Sequence, residues 1–176
     1  MQYGIAARAT NYDEILANIR KLIQRYHEAK AVIFYSQHTG LPSEYRSDYQ
    51  RFWYKMRGLN PGVVYMAEGT RDWEIIQEVR PTEEDVVLKK HTASFFVGTP
   101  LEQMLRARGI STLVLSGVAT EVGIEGTARH AAYLGFMPVV VEDAVGSSDR
   151  TRHESSIRTM REMFSVMTTE NVLGYS

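Results

Sequence analysis

Chemistry in this chain is concentrated in three short stretches. The first is Gly117 to Gly123, GVATEVG, which follows the apolar run Thr112 to Leu115 and precedes a helix-forming stretch from about Val122 to Gly135. A short, continuous apolar run is the pattern of a parallel strand buried on both faces. The turn after it therefore sits at a strand's carboxyl end. There the unpaired N–H groups and dipole of the following helix favour negative charge, and ligands bind there in open α/β sheets. A plain connection with small residues for packing is the competing reading. The second stretch is Lys89-Lys90, closing the apolar run of Asp85 to Lys90. Adjacent strand residues point to opposite faces, so only one of the two can serve a given cleft. The third is His38, in the loop SQHTGLP after Ala31 to Tyr35. A ligand could reach it, although a loop histidine more often serves structure. Asp13 and Glu14 sit in the first turn of a helix, where acids complement the dipole.

The elements that must position these residues follow from periodicity. Asn11 with Glu14 predicts a capping-box start, and Ile15, Ile19, Leu22, Ile23 and Tyr26 keep the helical period. Ala31 to Tyr35, Asp85 to Lys90, Thr112 to Leu115, Met137 to Val141 and Ser165 to Thr168 read as strands. Tyr45, Tyr49, Phe52, Trp53 and Met56 share one helical face, suited to packing, a subunit interface or a lid. Thr99, Pro100 and Glu102 predict a helix start, and Gly109 its end. Thr151 with Glu154 predicts the last helix, with Ile157, Met160 and Phe164 facing inward. Strand and helix alternate, which makes this an α/β chain with a mainly parallel sheet covered on both faces. Met1 to Thr10 reads as short and irregular.

Composition narrows the classes. The 176 residues suit one domain, spanning 1–176, and contain no cysteine, so disulfides, thiolate metal sites and a cysteine nucleophile are excluded. A formal net charge of −1 sets up no field for nucleic acid or an anionic membrane surface. No apolar run approaches a membrane span, no signal peptide is visible, and the default location is cytoplasmic. The histidines show no metal-ligand spacing. No cofactor is expected. A dinucleotide is the one alternative considered, and Gly117, Gly123 and Gly126 do not fit its glycine fingerprint.

Three segments together resemble the isochorismatase-like hydrolases: KHTASFFVGTPLEQML from Lys90, GVATEVGIEGTARHAAYLG from Gly117, and VVVEDAVGSS from Val139. The resemblance runs over essentially the whole chain. It implies a three-layer α/β/α fold with a doubly wound, mainly parallel sheet and a site at the sheet's carboxyl edge. It also implies Lys90 as the catalytic lysine, favoured over Lys89 by its spacing to Ser94. Ala119 and Gly123 match the turn whose amides hold an oxyanion, with a cis peptide at Val118-Ala119. The family is commonly homo-oligomeric, dimer or larger.

Two departures from the family pattern matter. Gly123 stands where the family usually has its attacking cysteine, which rules out the covalent amidase route for this chain. The family's first strand, with the aspartate that ends it, is not present before Met1-Gln2. Lack of that strand would expose two rows of backbone groups and a deep apolar slot, so the expectation is an upstream start or a truncation. The functional expectation is a hydrolase acting on a small molecule, at an amide or ureide C–N bond or a vinyl ether, without a cysteine nucleophile. Its sites are Lys90 (catalytic), Ala119 and Gly123 (turn), and His38 (substrate pocket). The alternative is a catalytically inactive protein of the same fold that binds a small ligand or partner.

Overall fold

Five strands form in the computed structural model, which describes residues 1–175. They are β1 (Phe34–His38), β2 (Val86–Lys90), β3 (Thr112–Val118), β4 (Met137–Gly146) and β5 (Ser165–Met167), and every pairing is parallel. The helices are α1 (Tyr3–Ala6), α2 (Tyr12–Glu28), α3 (Asp48–Met56), α4 (Leu101–Ala107), α5 (Glu125–Tyr133), α6 (Arg150–Arg161) and α7 (Thr169–Gly174). One face of the strands packs on α2 and α7 through Ile15, Ile19, Leu22, Val141 and Val172. The other face packs on α4, α5 and α6 through Leu101, Leu105, Ala128, Ile157 and Met160. The result is the expected α/β/α layering. The strands, however, form two sheets, β1-β2 and β3-β4-β5, with no strand among the described residues between β1 and β3.

Several elements fall elsewhere than their residue types predict. β1 starts three residues late, at Phe34, because a strand needs a partner as well as apolarity. Its partner β2 starts only at Val86, where Phe34 pairs with it. The preceding turn is closed by the Asp85 carboxylate, which accepts from the amide and hydroxyl of Thr82. β3 runs past Gly117 to Val118 through a register shift, which Gly117 accommodates at φ +116°, a conformation closed to residues with a Cβ. Two capping boxes do not form. Asn11 makes no side-chain cap bond, and Glu102 turns forward to Arg106 at 2.9 Å. α6 is capped by Asp149, whose carboxylate accepts from the Arg152 amide at 3.0 Å, rather than by Thr151. α1 and α7 are short helices that periodicity missed.

The expected apolar face of α3 points outward: Tyr45, Tyr49, Phe52 and Met56 are 58% to 72% exposed, whereas Tyr54 is buried. Residues 39–66, which contain α3, are held together by one side chain. Arg46 is buried and donates to the carbonyls of Leu41, Pro61 and Val63 at 2.6 to 2.8 Å. Its guanidinium lies 3.8 Å from the centroid of the Tyr54 ring, and the Tyr54 hydroxyl accepts from the Tyr65 amide. Gln50 ties α3 to the His91 carbonyl at the end of β2.

Arg46→Met keeps the aliphatic stem but leaves three carbonyls without their donor. Denaturant unfolding should show a loss of about 3 kcal/mol, with helical circular dichroism retained at low denaturant. A loss below about 0.5 kcal/mol would mean that the segment does not depend on this residue.

Candidate active site

The alternation at the end of β2 separates the two lysines. Lys89 points to solvent and pairs with Glu68 at 2.7 Å. Lys90 is only 7% exposed, and its Nζ donates to the Ala93 carbonyl at 2.6 Å. Burial lowers its pKa to about 8. The Ala93 carbonyl is itself fixed from α5. The Thr127 hydroxyl accepts from the Phe95 amide at 3.0 Å, and Ser94 Oγ bonds His130 Nδ1 at 2.9 Å. Gly126 lets the loop approach: a Cβ there would stand 3.6 Å from that of Ala93.

The turn after β3 faces the same ammonium. The Val118-Ala119 peptide is cis. A π-helical turn at Thr120–Ile124 leads into α5. The amides of Val122, Gly123 and Ile124 all close on the Ala119 carbonyl, at 2.9 to 3.3 Å. Gly123 therefore contributes space rather than a free N–H, which corrects its expected role as an amide donor. The N–H groups that open the turn are those of Ala119, Thr120 and Glu121, as the first N–H groups of a helix have no partner within it. A Cβ built on Gly123 would lie 3.7 Å from Lys90 Nζ and 3.8 Å from the Val118 carbonyl, both ordinary contacts.

Lys90, Gly117, Val118 and Gly123 line one end of a cavity of about 530 Å³. No Asp or Glu lines it. His38 pairs in register with Lys90 but is not among the lining residues. Its ring lies 6.0 Å from that of Tyr65, and its pKa is lowered to about 4 by burial, then by the charges of Lys90 and His91. It is a neutral imidazole at pH 7. The other histidines take separate partners: His27 with Asp85, His91 with the Thr39 carbonyl, and His153 with Thr120. Among the described residues no group of three or more His, Asp or Glu could hold a metal ion. No helix among them is long and apolar enough to cross a membrane.

Sequence reasoning missed Gln2. Its side chain is 2% exposed, accepts from the His38 amide at 2.8 Å, and donates to the carbonyls of His38 and Trp73 at 2.9 and 2.7 Å. Nothing in its local pattern marks it, because its partners are 36 and 71 residues away. Thr127 and His130 were legible only as positions on the small-residue face of α5.

The isochorismatase domain family matches residues 1–171. Ureidoacrylate amidohydrolase RutB of Acinetobacter baylyi is 30% identical over 162 residues, covering 85% of this chain and 65% of the relative. The isochorismatase family protein YecD of Escherichia coli O157:H7 is 41% identical over 85 residues, covering 48% of this chain and 45% of its own length. The chain thus spans less than two thirds of either relative. Among solved structures, an isochorismatase-like hydrolase from Alkaliphilus metalliredigens superposes with a TM-score of 0.80 at 22% identity, covering 95% of this chain and 87% of that one. N-carbamoylsarcosine amidase from Thermoplasma acidophilum gives 0.73 at 29% identity, covering 90% and 84%.

Two outcomes follow from the geometry. Because the Lys90 pKa is lower in the folded chain than the ordinary 10.5, the unfolded chain binds more protons between these values. Stability therefore rises with pH from about 8 to 10.5. Lys90→Met removes that dependence, so the unfolding free energies of variant and parent should converge over this range in denaturant titrations. A constant difference would place the ammonium in water. Gly123→Cys should fold and give one thiol beside Lys90, with a pKa below the ordinary ~8.5. In a chain with no other cysteine, alkylation rate against pH reads that value directly.

Proposed function

The chain belongs to the isochorismatase family, and from that premise we propose that it is a hydrolase of small molecules that works by proton transfer without a covalent thiol step. The bond cleaved is an amide or ureide C–N bond or a vinyl ether. The observation that carries this reading is the position of Lys90 Nζ: desolvated, and facing the open space at Gly123 in one cavity with the start of the π-helical turn. A substrate oxygen in that space would meet the ammonium as negative charge develops on it. Preorganised donors in a site largely removed from water are the commonest large source of transition-state stabilisation. A pKa of about 8 also lets this group give and regain a proton near neutral pH. The amides of Ala119, Thr120 and Glu121 open the same turn and suit a second hydrogen bond to that oxygen. His38, neutral and beside Tyr65, flanks the substrate region from under residues 39–66.

The names of two similar proteins, a ureidoacrylate amidohydrolase and an N-carbamoylsarcosine amidase, support C–N hydrolysis of carbamoyl compounds as the first class to test. The same reading takes the protein as cytoplasmic and homo-oligomeric, with the exposed stripe of Tyr45, Tyr49, Phe52 and Met56 as its contact surface. A second reading, ligand binding without turnover, is favoured by one feature: the cavity has neither an acid in its lining nor a cysteine to attack from.

Hydrolysis should be screened over amides, ureides and vinyl ethers, with Lys90→Met beside the parent. The expected result is turnover by the parent and a loss of at least about 100-fold in kcat/KM in the variant, equivalent to about 2.7 kcal/mol. Full activity in Lys90→Met would remove the lysine from the mechanism. Saturable binding with no turnover would establish the second reading.

A further inference from the structure

The same cavity continues from the lysine end along the whole interruption between β1 and β3. Its lining runs from Lys30, Arg108 and Thr112 at the strands' amino ends to Ser36, Lys90 and Val118 at their carboxyl ends. Each flanking strand is paired on its far side only, β1 with β2 and β3 with β4.

The hydrogen bonds show which groups face the gap. In a parallel ladder alternate residues turn their N–H and C=O to the same side. The Ile33 carbonyl accepts from the Val86 amide, and the Thr39 amide donates to the Lys90 carbonyl. Odd-numbered residues of β1 therefore serve β2, and Phe34, Ser36 and His38 face the interruption. The Ser111 carbonyl accepts from the Met137 amide, so Thr112 and Val114 of β3 face it from the other side. His38 shows what these groups seek. The Gln2 carboxamide accepts from its N–H and donates to its C=O, the same two bonds that a neighbouring strand would make.

The walls above and below are apolar, with Ile19, Leu22 and Ile23 on one side and Phe95, Leu105 and Ile124 on the other. A small apolar ligand would cover these walls and leave two rows of peptide groups unanswered. An extended peptide answers both. The lining also carries cations at both ends, Lys30 and Arg108 at one and Lys90 at the other, with no acid.

We propose that this slot docks one extended polypeptide segment supplied by a separate chain. It lies parallel to β1 and β3, has apolar side chains on both faces and is flanked by acidic residues. Main-chain bonds to two edges at once give affinity, and the apolar walls give selectivity. Five residues, about 17 Å of strand, match the length of β1.

The test titrates the isotopically labelled protein with an acetylated, amidated peptide of five alternating valines and isoleucines between pairs of glutamates. The expected result is saturable binding with slowed amide exchange at Phe34, Ser36, Thr112 and Val114, while the amides of Tyr35 and Leu113, already turned to β2 and β4, change little. A peptide with proline at its centre, lacking one donor, should bind at least tenfold more weakly, and so should one flanked by lysines. No binding, protection elsewhere, equal affinity for either altered peptide, or protection of the same amides through self-association without peptide would each overturn the proposal. None of these readouts depends on catalytic turnover.

Discussion

A lysine ammonium taken out of water, with one carbonyl as its hydrogen-bond partner, is the constraint on which this site depends. Lys90 would gain by extending to solvent, as Lys89 does one residue earlier toward Glu68. It stays because β2 turns it inward and the Ala93 carbonyl receives it there. That carbonyl is held by a loop docked on α5 through Thr127 and Ser94–His130, and the loop can approach because residue 126 is glycine. A buried cation with so few partners destabilises the fold near neutral pH. Arrangements that cost stability are found where reactivity is needed.

The same desolvated charge orders the groups around it. The repulsion it exerts, together with burial, keeps His38 neutral. It stands opposite the one position in the turn without a Cβ, so the space beside it stays open. The three amides that close on the Ala119 carbonyl stiffen the turn but withdraw themselves from ligand binding. Electrostatic stabilisation at this site therefore rests on Lys90 and the first amides of the turn, not on the residue aligned with the family's nucleophile.

Much of this was legible in sequence, because alternation and glycine have direct geometric meaning. Strand alternation separates Lys89 from Lys90, as observed. Gly109 and Gly135 end their helices at φ +65° and +85°, where a residue without a Cβ is at ease. The layer order followed from the alternation of apolar runs with helical periods. What failed had physical reasons. The Asn11 and Thr151 starts were read from residue type, but a cap depends on local backbone angles and on nearer competitors such as Asp149. The aromatic stripe of Tyr45 to Met56 had the period of a buried face, yet its segment is anchored by Arg46 and Tyr54 instead, leaving the stripe outside. Gln2 and the partner-dependent start of β1 are properties of distant pairings, which no local pattern encodes.

The cavity unites the two halves of the molecule more closely than its division into site and slot suggests. Its lysine end and its strand edges are walls of one space, so anything placed along the edges changes the medium around the ammonium. A segment that only excluded water would lower the lysine's pKa further, by the same desolvation that already lowers it. A negative group brought close would raise it, because attraction between opposite charges is strong where water is absent. By reciprocity, a protonated Lys90 favours an anionic occupant over a neutral one by the same free energy. Substrate and strand are thus selected by one property of this space: peptide donors and cations face inward, and the chain supplies no acid to meet them.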